Sequence, residues 1–200
     1  MANNNTSIFL DYHVFIPDAK FTGYGYNSKG NVLLRYWYIA LSPIYKNKWR
    51  NYSHLNLEDY SIKAAAYNLK ITVPKGITLQ TNLQKNMIKD RVHYFSGKHN
   101  REISLYFTND NPFQTFKTKD DCVILTDIFK NPANKKVNIE KVNRIDAFVT
   151  NVFDFKGEKK YLIPALIYNK NPFFGLNDLP KFLAPFNDLF LEEISFLKSY

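Results

Sequence analysis

The stretch YNLKITV, residues 67–73, decides the fold class of this 200-residue chain. Its apolar residues alternate with Asn68, Lys70 and Thr72, which is the period of a strand that buries one face. Pro74-Lys75-Gly76 follows directly and is typical of a turn that ends a strand. The stretch therefore predicts a half-buried β-strand.

Strand patterns recur towards the N-terminus. Residues 8–16 place five apolar side chains on one face, with Asp11 and His13 on the other. Residues 32–41 are apolar on both faces apart from Arg35, which predicts a central strand covered on both sides. We expect the guanidinium of Arg35 to be paired or to reach the surface by its tip.

Further strands are expected in the second half of the chain. Residues 91–95 and 102–108 flank a polar loop and predict one hairpin, and residues 145–155 and 160–168 predict another. Residues 78–89 fit the strand period and the helix period equally well.

The period changes near the C-terminus, where apolar residues recur at intervals of three and four. Pro185 breaks this pattern, so we expect a short helical turn followed by a helix over residues 185–198. The residues that carry the pattern are Leu179, Phe182, Leu183, Phe186, Leu189, Phe190, Ile194 and Leu197.

These patterns predict a mainly β fold. An antiparallel β-sandwich or barrel of Greek-key or jelly-roll type fits best, because strands and helices do not alternate as in a doubly wound fold. The length suits a single domain over residues 1–200, with a β-rich body over 1–175 and a C-terminal amphipathic helix as an appendage over 176–200.

The composition argues for a folded protein and only weakly for a nucleic-acid binder. The chain is 45% hydrophobic and 16% aromatic and carries a net charge of +9, yet five of its 27 basic residues are arginine. Abundant Asn, Lys, Ile, Tyr and Phe share A/T-rich codons, so a biased genome accounts for the charge. The N-terminus has no signal-peptide pattern, and no apolar stretch is long enough to span a bilayer, so we expect no membrane insertion.

No catalytic, cofactor or metal site is predicted. His93 and His99 flank a turn near Asp90, but two histidines and one acid do not complete a metal site. Cys122 opens an apolar run, where a cysteine packs as a small hydrophobe more often than it acts as a nucleophile. The adjacent acid pairs are solvated positions and not catalytic dyads.

Two segments are candidate partner-binding sites. In residues 45–52, aromatic residues alternate with bases, a mixture enriched at interface hot spots and in single-strand binders. The residues predicted to bind there are Tyr45, Lys48, Trp49, Arg50 and Tyr52. Tyr24 and Tyr26, in a glycine-rich loop, are a second candidate. The alternative in both cases is that the aromatic rings are buried in the domain.

Elimination of a reaction centre favours a non-enzymatic structural subunit of a larger assembly that acts through protein–protein contacts. A phage virion, tail or collar, or a comparable bacterial machine, fits the composition. The expected location is the virion if the protein is phage-derived, and the cytoplasm otherwise. The alternative is a soluble binding module, such as a phage-encoded inhibitor, an immunity protein or a nucleic-acid binder. An enzyme with a dispersed site comes third.

Overall fold

The computed structural model describes residues 6–19, 24–49, 63–110, 113–119, 121–127, 135–153 and 160–164. Its strands and helix are, in chain order, β1 (Gly25–Tyr26), β2 (Val32–Leu34), β3 (Ile44–Tyr45), β4 (Lys48–Trp49), β5 (Ala65–Thr72), β6 (Thr78–Thr81), β7 (Gln84–Lys89), β8 (Val92–Asn100), β9 (Leu105–Thr108), β10 (Gln114–Lys117), β11 (Val123–Thr126), α1 (Lys135–Phe153) and β12 (Lys160–Ile163). The prediction of a mainly β fold with antiparallel sheets is confirmed, and none of the described sheets is closed.

Two antiparallel sheets share the main core. One has the order β1-β2-β9-β6 and the other β5-β8-β7. Leu79 and Leu105 of the first sheet meet Phe95 of the second, and Leu83 completes the contact from the turn between β6 and β7. The predicted strand at residues 67–73 is confirmed as β5, whose apolar side chains pack against this core while the alternate ones are exposed.

The third sheet, β10-β11-β12, contains a parallel pair. Strand β11 runs parallel to β12, with Val123 opposite Lys160, and α1 lies between them in the sequence. This β–α–β connection corrects the predicted hairpin of residues 145–155 and 160–168, because residues up to Phe153 are helical. Among the α1 side chains whose burial is described, the buried ones recur every four positions, and two of them, Asn138 and Asp146, are polar. These polar positions weaken the helical period of the hydrophobic pattern.

Three other strand predictions are corrected. Residues 8–16 form no strand in the structure, and residues 32–41 are strand only as far as Leu34. The predicted pairing of residues 91–95 with 102–108 is wrong, because β8 pairs with β5 and β7 while β9 belongs to the other sheet. Residues 78–89, which were ambiguous, form the two strands β6 and β7. The predicted C-terminal helix lies outside the described residues.

A charged network forms where β2 ends. The Arg35 guanidinium donates to Glu102, with its Nε 3.0 Å from Oε2, and to the hydroxyl of Tyr24 at 2.9 Å. Ser104 donates from its hydroxyl to the other carboxylate oxygen of Glu102 at 3.2 Å. The expectation that Arg35 is paired is thereby confirmed.

Two tyrosine rings lie against the guanidinium of this ion pair. The guanidinium carbon lies 5.1 Å from the ring centre of Tyr36 and 5.5 Å from that of Tyr24. Burial opposes the charge on Arg35, but the attraction of Glu102 and the two tyrosines raises the pKa of the guanidinium above its usual value. Burial raises the pKa of Tyr36 to about 12, although the charge of Arg35 acts in the opposite direction. The guanidinium of Arg35 therefore stays charged at neutral pH despite its burial.

Arg35→Met and Glu102→Gln should each destabilise the fold, because each leaves the other partner without its counter-charge. A quarter of each side chain is exposed, so we expect a loss of about 1–2 kcal/mol each, below the range for fully buried pairs. Urea unfolding of both single variants and the double variant gives the coupling energy, expected to be about 1 kcal/mol. If the losses in free energy of unfolding of the two single variants add up to that of the double variant, Arg35 and Glu102 do not stabilise each other.

Arg35→Asp should be more destabilising than Arg35→Met, because it places a second carboxylate beside Glu102. The same unfolding experiment ranks the two variants. Equal urea midpoints for the two variants would show that water reaches the position of Arg35 more freely than its contacts indicate.

Candidate interaction surfaces

The N-terminal segment, residues 6–16, is an exposed arm. It was expected to bury one face in a sheet, but the structure leaves both faces in solvent. Phe9 is 93% exposed and Phe15 is 95% exposed, and five further large apolar side chains are at least 40% exposed. These five are Ile8, Leu10, Tyr12, Val14 and Ile16. The arm therefore presents a continuous row of apolar side chains on one side, and Phe9 and Phe15 beside Asp11 and His13 on the other.

The root of the arm is fixed to the body. Ala19 is buried and donates its backbone N–H to the Tyr26 carbonyl at 2.8 Å, while Tyr26 donates to the Pro17 carbonyl at 2.9 Å. Gly25 makes this close approach possible: its φ is +126°, and a Cβ atom there would overlap the Pro17 carbonyl oxygen. The arm thus leaves the body at a defined position.

A second exposed apolar surface is the β3–β4 hairpin. Ile44 pairs with Trp49 and Tyr45 with Lys48, so two residues, Lys46 and Asn47, make the turn. Their φ values of +49° and +60° are those of a type I′ turn, whose twist matches the strands it joins. All six residues of the hairpin are exposed, and Trp49 is 58% exposed.

This hairpin contains three of the predicted partner-binding residues. Tyr45, Lys48 and Trp49 lie on it together, and the Lys46 ammonium lies 5.5 Å from the ring centre of Tyr45. These aromatic and cationic groups are therefore exposed to solvent and are not part of the core, with Tyr45 and Lys48 on one face of the hairpin and Trp49 on the other. Arg50 and Tyr52 lie outside the described residues.

The chain before the hairpin is packed on the body. Trp37 and Tyr38 contact the main core, their rings meet edge to face, and the Tyr38 hydroxyl lies 3.3 Å from that of Tyr67. Exposure begins immediately afterwards, at Ile39 and Leu41. These two residues add exposed apolar side chains to the segment that leads into the hairpin. Sequence reasoning missed them because it assigned them to a central strand.

The tyrosines of the glycine-rich loop lie in different environments. Tyr24 is half-buried: it accepts the hydrogen bond from Arg35 and contacts Tyr36 edge to face at 6.3 Å. Tyr26 is 47% exposed and lies beside the root of the arm. Of the two, only Tyr26 has an exposed ring available to a partner.

The residues considered for chemistry are dispersed. His93 lies on β8 and stacks on Phe95 at 6.0 Å, while His99 is exposed at the far end of the same strand. Cys122 is buried at the start of β11, where its backbone N–H donates to the Thr118 hydroxyl. Within the described ranges, no group of three or more His, Cys, Asp or Glu side chains is placed to hold a metal ion.

The two tryptophans of the chain provide a matched test of the hairpin. Trp49→Ala should change the free energy of unfolding by no more than about 0.5 kcal/mol, because the ring is exposed. Trp37→Ala should cost about 2–4 kcal/mol, because its ring packs on the core. Urea unfolding of both variants measures the difference. A loss of stability in Trp49→Ala as large as that in Trp37→Ala would show that the hairpin is part of the core.

Comparisons with known protein families, curated proteins and solved structures give no match to this chain. No helix in the described part of the chain is long and apolar enough to cross a membrane. The surfaces of the chain itself are therefore the basis for inferring its function.

Proposed function

We propose that the protein is a non-enzymatic structural subunit that binds other subunits, or copies of itself, through the N-terminal arm and the β3–β4 hairpin. The observation that carries the proposal is the arm, in which seven large apolar side chains are exposed on both faces of an extended segment. Clusters of exposed apolar side chains mark interaction sites on proteins.

Burial of the arm against a neighbouring subunit would be stabilising. Complete burial of one large apolar side chain is worth roughly 1.5–3 kcal/mol, which offsets part of the cost of ordering the segment. An extended segment can also add to the edge of a sheet, where its backbone groups pair with those of the neighbour. Side chains on both faces would then be covered, as in a central strand.

The hairpin supplies the second contact. Truncation of Trp, Tyr or Arg at an interface costs the complex the most binding energy. The hairpin presents Trp49 and Tyr45, and Arg50 is next in the sequence. Lys48 and Tyr52 would flank these anchors. Tyr26, beside the root of the arm, would extend the arm contact.

A phage virion, tail or collar, or a comparable bacterial machine, remains the class of assembly we propose. The proposal places the protein in the virion if it is phage-derived and otherwise in the cytoplasm. The Greek-key sandwich or barrel and the C-terminal helix, with its appended position at residues 176–200, also remain predictions. The two sheets that share the main core support a sandwich more than a barrel.

Phe9→Ser combined with Phe15→Ser should abolish or strongly weaken self-association, because these are the two most exposed side chains of the arm. The measurement is size-exclusion chromatography with light scattering over a wide concentration range. Val137→Ser is the control: it removes an exposed apolar side chain from α1, outside the arm, where Val137 is 51% exposed. We expect the control to assemble as the wild type does.

Two results would contradict the proposal. One is a wild-type protein that is monomeric at every concentration and purifies without a bound protein. The other is an arm variant that assembles as well as the wild type. Circular dichroism of the arm variant should be unchanged, because its altered side chains contact solvent.

A nucleic-acid binder is the second candidate, and the hairpin is the observation that favours it. Exposed Tyr45 and Trp49 can stack on bases while Lys46 and Lys48 contact phosphates. Binding of this kind should weaken steeply with salt, because counterions are released from the nucleic acid. Fluorescence anisotropy with single-stranded and duplex oligonucleotides at two salt concentrations tests it. Absence of binding at low salt would eliminate this candidate.

A further inference from the structure

A cationic cleft lies between the two sheets of the main core, away from the arm and the hairpin in sequence. Its volume is about 320 Å³, and it is bounded by β6, by the β7–β8 pair and by Lys160 at the start of β12. Leu79 and Phe95 contribute buried apolar side chains to its wall. Lys85, His93 and Lys160, which carry side-chain nitrogen atoms, also line it.

Lys160 is held in place by the fold. Its ammonium donates a hydrogen bond to the Leu83 carbonyl oxygen at 2.7 Å, which ties β12 to the turn between β6 and β7. An ammonium has three donors, and this bond uses one of them. The group is therefore oriented by the protein and retains donors for a ligand.

The three nitrogen-bearing side chains act on one another electrostatically. Burial lowers the pKa of Lys160, and the nearby charge of Lys85 lowers it further. The same two causes, in the same order, lower the pKa of His93. No carboxylate belongs to the described residues that line the cleft, so their positive charge is not balanced there by an acid.

We propose that this cleft binds a small phosphate-bearing anion. An anion would offset the repulsion between Lys85 and Lys160 and accept hydrogen bonds from both ammonium groups, and lysine is a common phosphate ligand. The hydroxyl of Thr78, which also lines the cleft, is an available neutral donor. The volume is near the lower end of the range for ligand pockets, about 300–1,000 Å³, which suits a phosphate or a compact phosphate ester.

Two probes distinguish a free phosphate ion from a phosphate ester as the ligand. Inorganic phosphate tests the anion alone, and phenyl phosphate tests an ester whose ring would meet Phe95 and His93. Both are titrated calorimetrically into the full-length protein at constant ionic strength. We expect saturable binding of at least one probe. Tighter binding of phenyl phosphate would identify an ester as the ligand, and equal binding would identify the free anion.

Substitutions in β7 provide the matched comparison. Lys85→Met should weaken binding about tenfold or more, because it removes a charge that lines the cleft. Lys89→Met removes the same charge from the same strand outside the cleft, and we expect its affinity to stay within about twofold of the wild type. Lys160→Met should also weaken binding of the probe. Lys160→Arg keeps the charge and should bind it, which checks that the loss of affinity in Lys160→Met does not result from unfolding.

The signal of the His93 imidazole in NMR spectra gives a second readout. It should shift on addition of the probe that binds in the wild type and in Lys89→Met, and much less in Lys85→Met. Absence of saturable binding of both probes would overturn the proposal. Equal weakening in Lys85→Met and Lys89→Met would also overturn it, because it would show attraction to net charge without a site.

Discussion

The ion pair between Arg35 and Glu102 is the constraint on which the two exposed surfaces depend. It joins the end of β2 to the segment that leads into β9, two positions that lie 67 residues apart in sequence. Tyr24 contacts the same guanidinium from the β1 side. The pair therefore holds together the strands from which the arm and the hairpin leave the body.

The backbone at this site carries strain that the network compensates. Tyr36 has a φ of +54°, in the left-handed region that large side chains seldom adopt. Its ring lies against Arg35, and this contact helps hold it in that conformation. The unusual conformation ends β2 and turns the chain so that Trp37 and Tyr38 reach the core. The hairpin beyond them can then extend into solvent from a fixed base.

Asn82 extends this rigid region to the main core. Its amide nitrogen donates to the backbone carbonyl of Glu102 at 3.0 Å, and its amide oxygen accepts from the backbone N–H of Ser104 at 3.0 Å. The turn between β6 and β7 is thus bound to the segment before β9. The same turn accepts the hydrogen bond from Lys160, so the cleft and the ion-pair network are parts of one hydrogen-bonded framework.

Local patterns in the sequence predicted the strands that bury one apolar face, and they failed where burial depends on distant contacts. Strand β5 was predictable because its alternation is uninterrupted. Helix α1 was not, because its buried stripe includes Asn138 and Asp146. The arm was misassigned because one apolar face was taken as sufficient for burial; Phe9 and Phe15 on its other face were the signal that it differs from an ordinary half-buried strand.

The candidate surfaces were predictable to different degrees. The aromatic and basic composition of residues 45–52, which is typical of interfaces, could be recognised in the sequence. In the structure Tyr45, Lys48 and Trp49 are exposed, as a contact surface requires. The arm was not recognised as a surface, since exposure depends on the absence of a partner strand within the same chain. The cleft was also not predictable, because Lys85 of β7 and Lys160 of β12 are brought to one cleft only by the folding of strands that lie far apart in sequence.

Hydrogen–deuterium exchange, followed by mass spectrometry on dilute and on concentrated protein, tests whether the arm and the hairpin are the contacts between subunits. Backbone amides of residues 6–16 and 44–49 should exchange rapidly in the dilute protein and become protected as subunits associate. Protection confined to other segments, or exchange of these two segments that does not change between the associated and dissociated protein, would contradict this proposal.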